Sequence, residues 1–124
     1  MTNELSFDIR GAIFSVYNNL GPGLLESAYE AALCYELAKK GLLFTTQVPL
    51  PMEYEDLRLD VGYRLDIVVE NKIIIEVKSV DTLLAVHHKQ LITYLKLSGL
   101  QLGLLVNFNT NTIADNIIRK VNGF

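Results

Sequence analysis

Asp66, Glu76 and Lys78 are the side chains whose types and spacing best suit chemistry. They lie in two short runs, Tyr63-Arg64-Leu65-Asp66-Ile67-Val68-Val69 and Ile73-Ile74-Ile75-Glu76-Val77-Lys78. Both runs are rich in Val and Ile and read as strands. Side chains alternate along a strand. Tyr63, Leu65, Ile67 and Val69 therefore share one face, and Asp66 takes the other with Arg64 and Val68. The second run groups Ile74, Glu76 and Lys78. With Glu70-Asn71-Lys72 as the loop, Val69 pairs with Ile73 and Asp66 lies opposite Glu76, on the same face. A slip of one residue would part the two carboxylates.

Two carboxylates side by side repel, and a divalent cation offsets the repulsion. Mg²⁺ or Mn²⁺ suits this donor set. Mg²⁺ takes one or two carboxylates and leaves its other positions to water and phosphate. The Lys78 ammonium would orient or deprotonate the metal-bound water, or stabilise charge in the transition state. Metal, attacking water and cation together suit phosphodiester hydrolysis. The plain alternative is a surface hairpin carrying solvated charges. Against it, both runs are almost continuously apolar, as strands covered on both faces are. Charges there are costly unless paired or bound to metal.

The elements that must position this hairpin can be read on either side of it. Leu5 to Leu20 carries Ile9, Ala12, Ile13, Val16, Tyr17 and Leu20 at helical spacing. Gly21-Pro22-Gly23 breaks the chain, and a second helix is predicted from Leu24 to Lys40, closed by Gly41. Phe44 to Leu50 is predicted as extended, with Met52 to Tyr54 continuing it beyond Pro51. A helix is expected from His87 to Ser98, ended by Gly99, and a buried strand from Leu102 to Val106. Ile113, Ile117, Ile118 and Val121 fit either a helix or a strand. The order implies a mixed α/β fold.

The 124 residues suggest one domain spanning the chain. Half are apolar, so the chain is globular and not disordered. The one cysteine, Cys34, excludes an intrachain disulfide and a cysteine-rich metal or iron–sulfur site; a small buried helix residue is expected there. No signal peptide and no membrane span is apparent, so a cytoplasmic protein with no membrane partner is expected. The net charge of -3 weighs against a protein that coats itself with nucleic acid. Carboxylates that hold a cation soften that objection.

Asp66 followed by Glu76-Val77-Lys78 on the next strand resembles the PD-(D/E)XK nuclease core. Gly23-Leu24-Leu25-Glu26-Ser27-Ala28-Tyr29 matches the motif that names the GxxExxY family of that superfamily. Gln47-Val48-Pro49-Leu50, Gln90-Leu91 through Tyr94-Leu95-Lys96, and Gly103-Leu104-Leu105-Val106-Asn107-Phe108 are similar to it as well, so the resemblance covers nearly the whole chain. It implies a restriction-endonuclease-like core with a central mixed four-stranded sheet flanked by helices. It implies Glu26, Asp66, Glu76 and the Val77 carbonyl around the metal, with Lys78 as the catalytic lysine. Gln90 and Tyr94 resemble the QxxxY pair of RecB-type nucleases, which implies that they position water or phosphate. The iron–sulfur subtype is excluded by the cysteine count. Leu65 stands where the strict motif has proline.

Other side chains are placed by their neighbourhood. Tyr29 shares a helix face with Glu26. Its hydroxyl either supports Glu26 or touches substrate, or the residue is a core aromatic. Arg64 shares the Asp66 face and would pair with a carboxylate or reach a phosphate. His88 and Lys89 are candidate phosphate contacts, although His87-His88 also reads as a solvated helix start. Asn107 and Asn109 are expected in a turn after the last strand. The leading expectation is a divalent-metal-dependent nuclease whose partner is nucleic acid, DNA in preference to RNA. A homodimer would help so small a domain span a duplex. The alternatives are a non-catalytic module binding nucleic acid or protein, and a phosphohydrolase acting on nucleotides.

Overall fold

The computed structural model describes residues 2–59 and 62–123. Two helices come first, α1 (Thr2–Leu20) and α2 (Glu26–Lys39). The strands β1 (Phe44–Pro49), β2 (Met52–Tyr54), β3 (Leu57–Leu59), β4 (Arg64–Val69) and β5 (Ile73–Lys78) follow. Then come α3 (Ala85–Ser98), β6 (Leu102–Asn107), a 3₁₀ turn (Ile113–Asn116) and β7 (Ile117–Val121).

The main sheet runs β1-β4-β5-β6-β7, with β5 and β6 parallel and the other pairs antiparallel. It has five strands, where four were expected. The extra one is β7: the tail whose spacing fitted helix or strand pairs along β6, Val106 against Ile117 and Leu102 against Val121. Met52–Tyr54 does not extend β1 either. It pairs with β3 in a separate two-stranded hairpin, turned away at Pro51, which has no N–H to give a ladder.

The strand β5 is buried along both faces, and that divides the core. Ile73, Ile75 and Val77 pack with Ile9, Ile13, Tyr29, Leu33 and Leu37 of α1 and α2. On the opposite side, Ile74 packs with Leu91, Tyr94 and Leu95 of α3. Each fully buried isoleucine of β5 stabilises the fold by about 2 kcal/mol. Gly103 brings α3 down onto the sheet: a Cβ there would meet Leu91 Cδ1 at 2.8 Å. The result is helices, sheet, helix in three layers, with the β4–β5 hairpin in the middle.

Candidate active site

The hairpin keeps the expected register. Val69 pairs with Ile73 across a loop in which Glu70 and Asn71 both take φ of 54°. The paired positions run as far as Ile67 and Ile75. Beyond them the carboxylates join the strands. The Asp66 N–H donates to Glu76 Oε2 at 2.9 Å, and the Val77 N–H donates to Asp66 Oδ2 at 2.8 Å. Each acid is thus fixed on the other's strand. A carboxylate has about four acceptor positions, so most remain for a cation.

The two-face alternation expected of β4 breaks at this point. Ile67 and Val69 pack toward α1 and α2, but Leu65 joins Val68 and Ile74 on the α3 side. Asp66 sits at the change of face, where side-chain bonds have displaced the ladder.

The electrostatics follow from burial. Glu76 is 4 % exposed. Burial, then the Asp66 charge, pushes its carboxyl up to about 8; the Asp66 N–H and the Lys78 ammonium pull the other way. Asp66 is also raised, chiefly by burial and further by Glu26, against the Val77 N–H, Lys78 and Gln47. Lys78, half-buried at the end of β5, is the cation that both acids feel. The pair is short of positive charge, and a divalent ion would supply it.

Glu26 arrives from the helix side. Left-handed Gly21 and Gly23 turn the chain, and Glu26 opens α2, where a carboxylate suits the helix dipole. Its Oε2 accepts from the Ser79 N–H at 3.1 Å, and Ser79 Oγ donates to the Leu24 carbonyl at 2.6 Å. Asn107 secures the same segment, because its side chain exchanges two hydrogen bonds with the Val80 backbone. Asn107 is therefore a buried end of β6 and not a turn residue.

Glu26 and Asp66 line a cavity of about 440 Å³ together with Ser27, Glu30 and Gln47. Sequence reasoning missed Glu30, and it met Gln47 only within the Gln47-Val48-Pro49-Leu50 motif, with no role at the site. Glu30 lies one helical turn after Glu26, a spacing that could have revealed it. Gln47 donates to Glu30 Oε1 at 2.9 Å and also hydrogen-bonds Asp66. Its φ is 50°, a left-handed value in the middle of a strand. Its β1 neighbours Thr46 and Val48 pair with Ile67 and Leu65, so Gln47 falls beside Asp66.

The other flank is α3. Tyr94 is buried, and its phenol is pushed up to about 12 by burial, then by Glu76, Asp66 and Tyr63. Gln90 and Lys89 line the cleft that Tyr94 closes. Three further residues expected as substrate contacts, Tyr29, His88 and Arg64, have surroundings of their own. Tyr29 is fully buried, stacked on Phe108 at 4.4 Å, with its hydroxyl donating to the Gly21 carbonyl and accepting from the Leu24 N–H. It is a core aromatic that holds the turn leading to Glu26. His88 lies beside Lys120 of β7, which lowers its pKa after burial does. Its neighbour His87 caps α3 by accepting from the Leu84 N–H at 2.9 Å. Arg64 is exposed at the start of β4, in a hollow with Pro49, Pro51 and Arg58.

The donors here are carboxylate oxygens and an amide carbonyl, which suit a hard cation such as Mg²⁺ or Mn²⁺. Among the described residues no three His, Cys, Asp or Glu side chains converge on one point. The fit rests on the Asp66–Glu76 pair, with water and phosphate to complete the shell. Among the described residues no helix is long and apolar enough to cross a membrane. A family model described as the PD-(D/E)XK nuclease superfamily matches residues 3–120. No curated protein and no solved structure gives a significant match.

Proposed function

Because the chain belongs to the PD-(D/E)XK nuclease superfamily, we propose that it is a divalent-metal-dependent phosphodiesterase acting on nucleic acid, with DNA the preferred substrate. The observation that carries this reading is the crossed pair of bonds between β4 and β5, Asp66 N–H to Glu76 and Val77 N–H to Asp66, which holds a buried and a half-buried acid with the Lys78 ammonium beside them. We further place the chain in the GxxExxY group, on Gly23, Glu26 and Tyr29, and read it as one domain.

In this reading Asp66 and Glu76 hold one Mg²⁺ or Mn²⁺, and Glu26 and the Val77 carbonyl join from the start of α2 and from β5. The ion, when bound, supplies an acidified water and a counter-charge for the scissile phosphate. Lys78 orients that water and faces the charge that grows on the phosphate oxygens. Gln47 bridges Glu30 to Asp66 and holds the aspartate's angle. Gln90 and Tyr94 position the phosphate from α3, with Lys89 at the rim. The buried walls of β5 keep bulk water from the acids, which strengthens each of these interactions.

The test is cleavage of labelled linear and circular DNA in Mg²⁺, Mn²⁺ or EDTA by the parent and by Lys78→Ala. Metal-dependent cleavage that the variant loses, at unchanged circular dichroism, is the expected result. Equal cleavage by the variant would overturn the assignment. No cleavage by the parent would move the fold to a binding role.

A further inference from the structure

Beyond the acids, α3 and the segment before β4 enclose a second space. Tyr63, Met52, Val86 and Thr93 form its walls, and Lys89 and Gln90 stand on its rim, around about 300 Å³. Tyr94 closes its floor, with its ring centroid 6.1 Å from that of Tyr63 and the planes tilted by 58°. Tyr94 packs in one buried cluster with Leu65, the neighbour of Asp66, and with Ile74, two residues before Glu76 on β5, so the floor of this cleft adjoins the acids.

We propose that this cleft receives one unstacked nucleobase of a single-stranded nucleic acid whose backbone runs past Asp66 and Glu76. The inference rests on the phosphodiesterase reading and names the form of its substrate. Tyr63 is 41 % exposed, so a ring face is open to a ligand. Its backbone is anchored, since its carbonyl accepts from the buried Leu50 N–H at 2.9 Å. An anchored, half-exposed ring is a stacking platform, and every base has a face to lay on it. Met52 and Val86 supply the opposing apolar contacts. Lys89 is placed for the phosphate that flanks the base, beside the one Gln90 positions. A paired base in a duplex has its faces covered by its neighbours. It enters only when unstacked, and that step costs a duplex free energy which a single strand does not lose.

The chain's charge agrees with this occupant. A net charge of -3 weighs against wide phosphate contact along a duplex. Stacking gives affinity without such contact.

The experiment is equilibrium binding of short labelled oligodeoxynucleotides in Ca²⁺ buffer. An abasic position is walked along the single strand, and a blunt duplex of the same length is the comparison. The parent should bind the single strand more tightly than the duplex. One abasic position should weaken binding by about tenfold, the scale of one stacked base. Tyr63→Leu keeps an apolar wall without the ring; it should lose the same factor on the intact strand and show no sensitive position. Tyr63→Phe should behave as the parent. Equal affinity for strand and duplex with no sensitive position in the parent overturns the proposal. So does a sensitive position that persists in Tyr63→Leu. Mn²⁺-dependent cleavage of the same strand is read separately. Cleavage without base sensitivity removes the cleft and leaves the phosphodiesterase. Base-sensitive binding without cleavage supports the cleft and removes the phosphodiesterase.

Discussion

Glu76→Gln should make the metal-free protein more stable while weakening its hold on metal. The reasoning starts from burial. In the unfolded chain Glu76 titrates at its ordinary 4.5, and in the folded protein it is pushed up to about 8. A raised folded value means that folding takes up a proton at neutral pH. The stability this group allows is full below pH 4.5 and declines as pH climbs toward about 8. Each pH unit above the unfolded value costs about 1.4 kcal/mol, so at pH 7 the parent loses at most about 3 kcal/mol. Glutamine has nearly the same shape, stays neutral, and its carbonyl can accept from the Asp66 N–H in place of Oε2. The variant should therefore match the parent near pH 4 and exceed it by up to about 3 kcal/mol at pH 7. For a chain of this length that is roughly 10 °C in melting temperature. Thermal unfolding of both proteins from pH 4 to 8 in EDTA reads the difference directly, free of other groups common to both. Adding Mn²⁺ at about a hundred times the parent's dissociation constant should stabilise the parent by about 2.7 kcal/mol and the variant far less. A pH-independent difference, or a variant less stable than the parent at pH 7, would refute the reasoning.

Two further outcomes follow from the supports of the site. Gln47→Gly should leave the metal-free melting temperature nearly unchanged, because relief of the φ of 50°, worth roughly 1 kcal/mol, is offset by the lost bonds to Glu30 and Asp66. The same variant should lose about tenfold in Mn²⁺ affinity, read by calorimetry as a lost 1.4 kcal/mol; a purely structural glutamine would change stability alone. Tyr29→Phe keeps the stack on Phe108 but drops both hydroxyl bonds. It should cost about 1–2 kcal/mol in denaturant unfolding, and a variant as stable as the parent would contradict the core role.

The hairpin was legible because alternation and loop length together pin a register, and Val69–Ile73 is the pair they require. What alternation could not show is its own failure at Asp66. The Leu65 switch arises from side chains replacing ladder bonds, which are contacts between two strands and not a property of either. Gln47 was hidden for a similar reason. The Gln47-Val48-Pro49-Leu50 motif marks the run but gives Gln47 no task until β1 is laid against β4 and its left-handed turn falls beside the acid. Tyr29 could not be decided on spacing, since the same helix face serves Glu26 and the core. The tail became strand because Val106 and Leu102 offered β7 an open edge, a tertiary fact that outranks a helical period.

The bond from Ser79 to Glu26 joins residues 53 positions apart, whereas Asp66 and Glu76 lie only 10 apart. A hairpin can form early and alone, but Glu26 reaches its place only when α2 has docked on the finished sheet. Asn107, which secures Val80 beside Ser79, comes later still in the chain. Assembly of the centre is therefore tied to global cooperativity and not to local structure. A chain short of the native state carries the signature residues yet lacks their joint arrangement, so the centre exists only in the fully folded protein.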